Sequence, residues 1–164
     1  MSRAAESAAD RGLRRPGVRE IVMASYVATG STVRSPSRDR AALAATFARV
    51  VLGLVFTLSG FSGFAFLFIS PPPPLPGLAG EFMDVFFRTH WVQFVDAVEL
   101  IAGVMLLVNR YVTLAIVLLG AIFANILAFH ITMQPNTIAV PLALFALWAF
   151  LAYRNRAKLA VLIK

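Results

Sequence analysis

Four apolar stretches between residues 41 and 153 dominate the pattern of hydrophobic and polar positions in this chain. A helix rises about 1.5 Å per residue, so about 20 apolar residues cross a hydrocarbon core of ~30 Å. The predicted spans are residues 43–69, 91–108, 111–132 and 137–153. The pattern therefore predicts an all-α integral membrane protein, built as an antiparallel four-helix bundle.

The breaks between the spans support this division. Residues 71–74 and Pro76 end the first span, because proline has no amide proton and disfavours helix in the residue before it. The turn at Asn109 and Arg110 is so short that the spans on either side must be antiparallel neighbours. Pro141 is compatible with the fourth span because it lies in the first helical turn.

The loop after the proline run has an amphipathic pattern. One side of its helical wheel carries the charged residues Glu81, Asp84 and Arg88, and the other carries Phe82, Met83, Phe86 and Phe87. This spacing predicts a short helix on the outer surface of the membrane, leading into Trp91 as an interface anchor. An ordinary ordered loop is the alternative.

The basic residues indicate an orientation. Eight of the 15 Lys and Arg residues precede Leu43, Arg110 lies in the tight turn, and four follow the last span, whereas Arg88 lies in a loop on the opposite side. This positive-inside distribution predicts that both termini are cytoplasmic. The net charge of +7 would suggest a nucleic-acid partner in a soluble protein. Here we expect the lipid bilayer as the partner, and no nucleic acid.

The remaining segments are predicted to be tails. Residues 1–40 are rich in Arg, Ala and Ser and show no sustained helical periodicity, so we expect a disordered basic tail. Residues 154–164 are expected to form a basic cytoplasmic tail. The chain is 59% apolar and 14% charged, which departs from the composition of a soluble globular domain. In 164 residues we expect room for one compact bundle and no second catalytic domain.

Candidate chemistry lies in the few polar groups at membrane depth, where a charge costs at least ~2.5 kcal/mol. Asp96, Glu99 and Gly103 form one stripe on the second span. Two carboxylates one turn apart repel each other, so we expect one to be protonated or matched by a cation. Arg49 lies on a glycine-rich face of the first span at a similar depth. The sequence predicts an Arg49–Glu99 pair, and the alternative is that Arg49 extends to the cytoplasmic headgroups.

The third span contributes the other members of the predicted polar layer. Gly120, Ala124 and Ala128 repeat at four-residue spacing, which is typical of a helix-packing face. Asn125 lies beside this face and is expected to hold helices together. His130 lies near the outer end, where it is either half solvated or a ligand-binding group. The candidate buried polar layer comprises Arg49, Asp96, Glu99, Asn125 and His130.

The order of these motifs resembles the DoxX family of four-span membrane proteins. The resemblance rests on the segment from Arg49 to Gly60, on Glu99 to Leu107 with Arg110 and Tyr111, and on Asn125 to His130 with Pro135. It implies an inner-membrane bundle with cytoplasmic termini, in a family with members linked to quinone-dependent sulfur oxidation or oxidant defence. Family members often carry a Lys soon after the Ser-Gly of the first span, and residues 61–64 contain none.

Several cofactors are excluded or unexpected. The chain has no Cys, so it cannot exchange thiols and disulfides or bind an iron–sulfur cluster through Cys. A bis-His haem would need His90 and His130 to face each other, and His90 is predicted to lie in a loop, so no haem is expected. No metal site is predicted.

Two function classes remain. In the first, the chain is the membrane subunit of a quinone-linked oxidoreductase or oxidant-defence complex with a soluble or membrane redox partner. His130 or Asn125 would bind a ring carbonyl of the quinone, while Glu99 or Asp96 would handle the proton. In the second, the chain is a non-catalytic membrane scaffold or assembly partner. A transporter is a weaker third class, because four short helices leave little room for alternating access.

Overall fold

The computed structural model describes residues 17–30, 36–66, 68–69 and 73–162, and all regular structure in those ranges is helical. The helices are α1 (Val18–Gly30), α2 (Pro36–Ala65), α3 (Gly77–Arg88), α4 (Trp91–Leu107), α5 (Val112–Met133), α6 (Ala139–Arg154) and α7 (Arg156–Val161). A single 3₁₀ turn, Pro135–Thr137, precedes α6. The predicted all-α class is confirmed.

The helix α1 belongs to a separate unit from the bundle, which spans Arg40–Lys164. It differs from the disordered tail that the sequence analysis expects at this position. The segment contains no proline, and Glu20 in its first turn interacts favourably with the helix dipole, so a local helix is allowed. Residues 1–16 and 31–35 lie outside the described residues, and the expectation of disorder there stays a prediction.

Two helices of the described chain are long and apolar enough to span a membrane, and a bent pair of helices is a third candidate if the pair counts as one span. Residues Asp39–Ala65 and Val112–Met133 are long and apolar enough by themselves. The helices α3 and α4 meet the criterion together, but they are bent by 83° at the break between them. The helix α6 is apolar and shorter. These candidates support a membrane protein, and the count of four spans stays a prediction.

Left-handed residues make the two sharpest bends. At the α3–α4 bend, His90 has φ = 59°. At the end of α4, Asn109 has φ = 55° and its N–H donates to the Leu106 carbonyl, while the Arg110 N–H donates to the Met105 carbonyl. This is a Schellman end, for which Asn is one of the few suitable residues after Gly. It returns the chain directly into α5, which packs along α4.

The apolar core is centred on Phe123 of α5. Its ring centroid lies 5.3 Å from that of Phe56 on α2, and 5.8 Å from those of Phe145 and Trp148 on α6. The Trp148 Nε1–H also donates to the Ile116 carbonyl at 2.9 Å, which fixes α6 against α5. Around this centre lie the buried side chains of Leu52, Ala102, Leu106, Ala115, Leu119, Ile122 and Leu151.

Glycine residues bring α2 into backbone contact with α4. A Cβ added at Gly60 would lie 2.6 Å from the Leu100 nitrogen and would also meet the Asp96 carbonyl oxygen. A Cβ added at Gly103 would lie 2.6 Å from the Thr57 Oγ1. The glycine face predicted on the first span therefore packs against the stripe predicted on the second. Small residues of this kind let membrane helices approach closely and gain dispersion energy.

We expect Gly60→Ala to lower the free energy of unfolding by about 1–3 kcal/mol, because the opposing atoms belong to the α4 backbone and cannot rotate away. Ser62→Ala is the control, since this exposed residue of the same helix turn adds no atoms at the interface. Unfolding would be followed by circular dichroism in detergent micelles. Equal stability of the two variants would contradict the close α2–α4 contact.

Candidate functional site

Two buried carboxyl groups, Asp96 and Glu99, lie at the α2–α4 contact and are called the acidic pair below. Their exposed fractions are 7% and 5%, and they are the buried charged residues of the described chain. The Asp96 carboxyl lies directly over Gly63, where an added Cβ would overlap Oδ2. The missing side chain of Gly63 therefore provides the space that the Asp96 carboxyl occupies.

Hydrogen-bonding capacity at this contact is left unused. Within the described residues, four buried side-chain atoms have no hydrogen-bond partner: Thr57 Oγ1 on α2, and Gln93 Oε1, Asp96 Oδ2 and Glu99 Oε2 on α4. An unsatisfied buried polar group costs about 1–3 kcal/mol, and more if it is charged. Native proteins retain few such groups, and two of the four atoms belong to the acidic pair.

Ser59 connects this cluster to the surface of α2. Its side chain lies close to that of Glu99, and the residue is exposed. The hydroxyl group can both donate and accept a hydrogen bond. A molecule that contacts the outside of α2 at Ser59 would therefore be one hydroxyl group away from a buried carboxyl.

Arg49 corrects the pairing predicted from the sequence. Its Nη1 donates to the Leu106 carbonyl, and to the Leu107 carbonyl at 3.3 Å, rather than to Glu99. Leu106 lies two helical turns beyond Glu99, about 10 Å along α4. Arg49 thus caps the C-terminal end of α4, where carbonyl groups lack helical partners and the helix dipole favours a cation.

The acidic pair has no cation beside it in the part of the chain that is described. The ion pair found there joins Arg88 to Asp84 on α3, at 2.6 Å, and both side chains are exposed. The expectation that a cation matches one carboxylate is therefore not met by Arg49 or by another described residue. Protonation of one carboxyl is the option that remains from the sequence analysis.

Asn125 and His130 make no described hydrogen bond to the acidic pair. Asn125 is exposed, and its Nδ2 donates to the Ala121 carbonyl one turn earlier at 2.9 Å. His130 is half-buried, and its Nδ1 lies 2.9 Å from the Ile126 carbonyl. Both side chains therefore bond to their own helix. Of the five predicted members of the polar layer, the structure brings together Asp96 and Glu99.

Sequence reasoning missed three polar members of the α2–α4 contact. Gln93 precedes Asp96 by three residues and so extends its stripe. Thr57 lies between Gly53 and Gly60 on the glycine face of α2, and Ser59 adjoins that face. The stripe periodicity could have found Gln93 and Thr57, because both share the face of a residue already selected.

Comparison with known proteins gave no match, whether by protein-family models, by curated proteins or by solved structures. The resemblance to the DoxX family stays a prediction. Among the described residues, no group of three or more His, Asp or Glu side chains is arranged to hold a metal ion.

The capping role of Arg49 gives a double-mutant prediction. Arg49→Gln should lower the free energy of unfolding by about 1.5–3 kcal/mol, because the charged hydrogen bonds to α4 are lost. Combined with Glu99→Gln, its effect should be additive to within about 0.5 kcal/mol, as for residues that do not touch. Thermal unfolding of the two single variants and of the double variant in detergent measures whether the two effects on stability are additive. A coupling above about 1 kcal/mol would instead indicate the Arg49–Glu99 pair.

Proposed function

We propose that this chain is a four-span, inner-membrane protein of DoxX type that serves as the membrane subunit of a quinone-linked redox complex. The spans would be α2, α4, α5 and α6. The helix α3 would lie on the outer surface, since its exposed ion pair is on one side and aromatic contacts are on the other. Those contacts join Phe87 to Phe66 and Phe82 to Phe129, with ring centroids 5.7 and 5.6 Å apart.

The distribution of charge supports cytoplasmic termini. Arg110, in the α4–α5 turn, and Arg154 and Arg156, near the start of α7, belong to the same end of the bundle as the start of α2. Of the acidic residues on α2 to α7, Glu81, Asp84, Asp96 and Glu99 lie on α3 and α4, and Asp39 lies in the first turn of α2 between Arg38 and Arg40. A bilayer protein with this asymmetry is expected to hold its basic end in the cytoplasm.

The buried acidic pair is the observation that carries the redox proposal. Ionisable groups inside a membrane are costly, and they are typically retained where protons or ligands are handled. Reduction of a quinone to a quinol consumes two electrons and two protons. In this proposal the electrons come from the redox partner and Glu99 exchanges protons with the quinone headgroup, assisted by Asp96.

The position of Ser59 supports the route to the quinone. A quinone dissolved in the lipid would reach the outside of α2. There the Ser59 hydroxyl can donate a hydrogen bond to a ring oxygen of the quinone, and Ser59 adjoins Glu99. We assign the ring contact to Ser59 rather than to Asn125 or His130, because those side chains bond to the carbonyls of their own helix. A proton carrier within hydrogen-bond reach of the reacting oxygen is the requirement for acid–base catalysis.

The second candidate is a scaffold, and the exposed face of α5 supports it. Asn125 is exposed together with Ala121, Ala124 and Ala128, whereas Gly120 packs against Trp148. In a bilayer this face would place an amide group and three small side chains against lipid. A helix of a partner subunit would cover them better, because small residues and amide groups both favour helix association.

The proposed orientation predicts the behaviour of topology reporters. Alkaline phosphatase, which is active only outside the cytoplasm, should be inactive when fused after Lys164 and active when inserted at Gly77. A fluorescent protein that matures only in the cytoplasm should give the inverse pattern. Phosphatase activity at the C-terminus would contradict the four-span arrangement.

The redox proposal predicts that protein purified from native membranes retains a quinone, detectable by extraction and chromatography. Glu99→Gln and Ser59→Ala should each reduce retention by about tenfold, since about 1.4 kcal/mol of hydrogen bonding is lost. Asp84→Asn is the control, because it removes an exposed carboxylate on α3. Wild-type protein without quinone, together with loss of a co-purified partner in Asn125→Leu, would favour the scaffold.

A further inference from the structure

A pocket of about 440 Å³ lies at the end of the bundle away from the acidic pair. It is bounded by the first half of α2, the α4–α5 turn, the start of α5 and the junction of α6 with α7. Two cationic side chains, Arg49 and Lys158, line it together with polar side chains that include Thr46, Tyr111, Thr113 and Asn155. No acidic residue is among its described lining residues.

Neither cation of this pocket forms an ion pair among the described residues, where the ion pair found joins Arg88 to Asp84. Glu81, Asp84, Asp96 and Glu99 lie on α3 and α4, and Asp39, in the first turn of α2, does not line the pocket. Lys158 is exposed, and it takes part in no described ion pair. Two cations at one pocket repel each other, so an anion bound between them would be stabilised by both.

Arg49 is held in place for such a ligand. Its Nη1 bonds to the α4 carbonyls, which fixes the guanidinium plane at the wall of the pocket. The other guanidinium nitrogens remain as donors, because the group has five N–H hydrogens. A planar donor group of fixed orientation matches the oxygen atoms of a phosphate better than a mobile cation does.

The start of α5 adds donors on another side. The helix begins after Tyr111, which has φ = 56° and provides no side-chain cap. Val112 and Thr113 of its first turn line the pocket, and the first N–H groups of an α-helix have no helical partners. These groups and the Thr113 hydroxyl complement the two cations, since the N-terminus of a helix favours an anion.

We propose that this pocket is a binding site for a phosphate group, held by Arg49 and Lys158. The phosphate has two possible sources. One is the headgroup of an anionic phospholipid in the cytoplasmic leaflet, a source that rests on the proposed membrane orientation. The other is free inorganic phosphate, which does not depend on that orientation.

The test uses the full chain purified in detergent. Binding of phosphatidylglycerol, with phosphatidylcholine for comparison, is measured by native mass spectrometry. Binding of inorganic phosphate is measured by the shift in melting temperature. Lys158→Gln should weaken binding of the preferred ligand by about tenfold, as expected for one charged hydrogen bond. Arg156→Gln is the matched control, because this exposed residue of the same helix stacks on Tyr153, at 4.4 Å, and does not line the pocket.

The variant Arg49→Lys keeps the charge and loses the planar donor group, and it too should weaken binding. Selective retention of phosphatidylglycerol that is lost in Lys158→Gln would assign the site to a lipid. Stabilisation by inorganic phosphate alone, lost in the same variant, would assign it to the free ion. The proposal is overturned if neither ligand binds, if both lipids bind equally and phosphate has no effect, or if Arg156→Gln weakens binding as much as Lys158→Gln.

Discussion

The close approach of α2 to α4 is the contact on which the rest of the bundle depends. Gly60 and Gly103 place backbone against backbone, so any larger side chain there would separate the helices. Between helices in lipid there is little hydrophobic driving force, and close packing must supply much of the association energy. The same approach brings Arg49 to the carbonyl groups at the end of α4 and encloses the Asp96 carboxyl against Gly63.

One helix pair thereby carries opposite chemistry at its two ends. Toward the start of α4 there are two carboxyl groups with unpartnered oxygens, and toward its end there is a cation that caps the helix and lines a basic pocket. The two sites are separated by about two turns of helix, so a change at one need not disturb the other. If both proposals hold, one short chain would carry a proton-exchanging site and a separate phosphate-binding site.

Hydropathy and helix periodicity predicted the helical class, the glycine face of α2 and its approach to the Asp96–Glu99 stripe. The predicted Arg49–Glu99 pair was wrong. Depth counted from an assumed membrane boundary is uncertain by a helical turn or more, and two turns separate the Glu99 carboxylate from the end of α4, to which Arg49 bonds. The placement of Asn125 and His130 beside the acidic pair stays a prediction, since the hydrogen bonds described for both side chains go to carbonyl groups of α5. The basic pocket is lined by residues from four elements, so no pattern within one segment of the sequence could have predicted it.

Disulfide formation between α2 and α4 in native membranes tests the central contact most directly, because the chain has no cysteine of its own. An added Cβ at Gly53 would lie 2.9 Å from the Leu107 Cγ, near the position that a cysteine sulfur would occupy at residue 107. Mild oxidation of Gly53→Cys/Leu107→Cys should therefore give an intramolecular disulfide, detected as loss of maleimide labelling. The control Leu54→Cys/Leu107→Cys should remain reduced, since Leu54 lies on an exposed face. Failure of the first pair, or equal reaction of both pairs, would contradict the close α2–α4 contact.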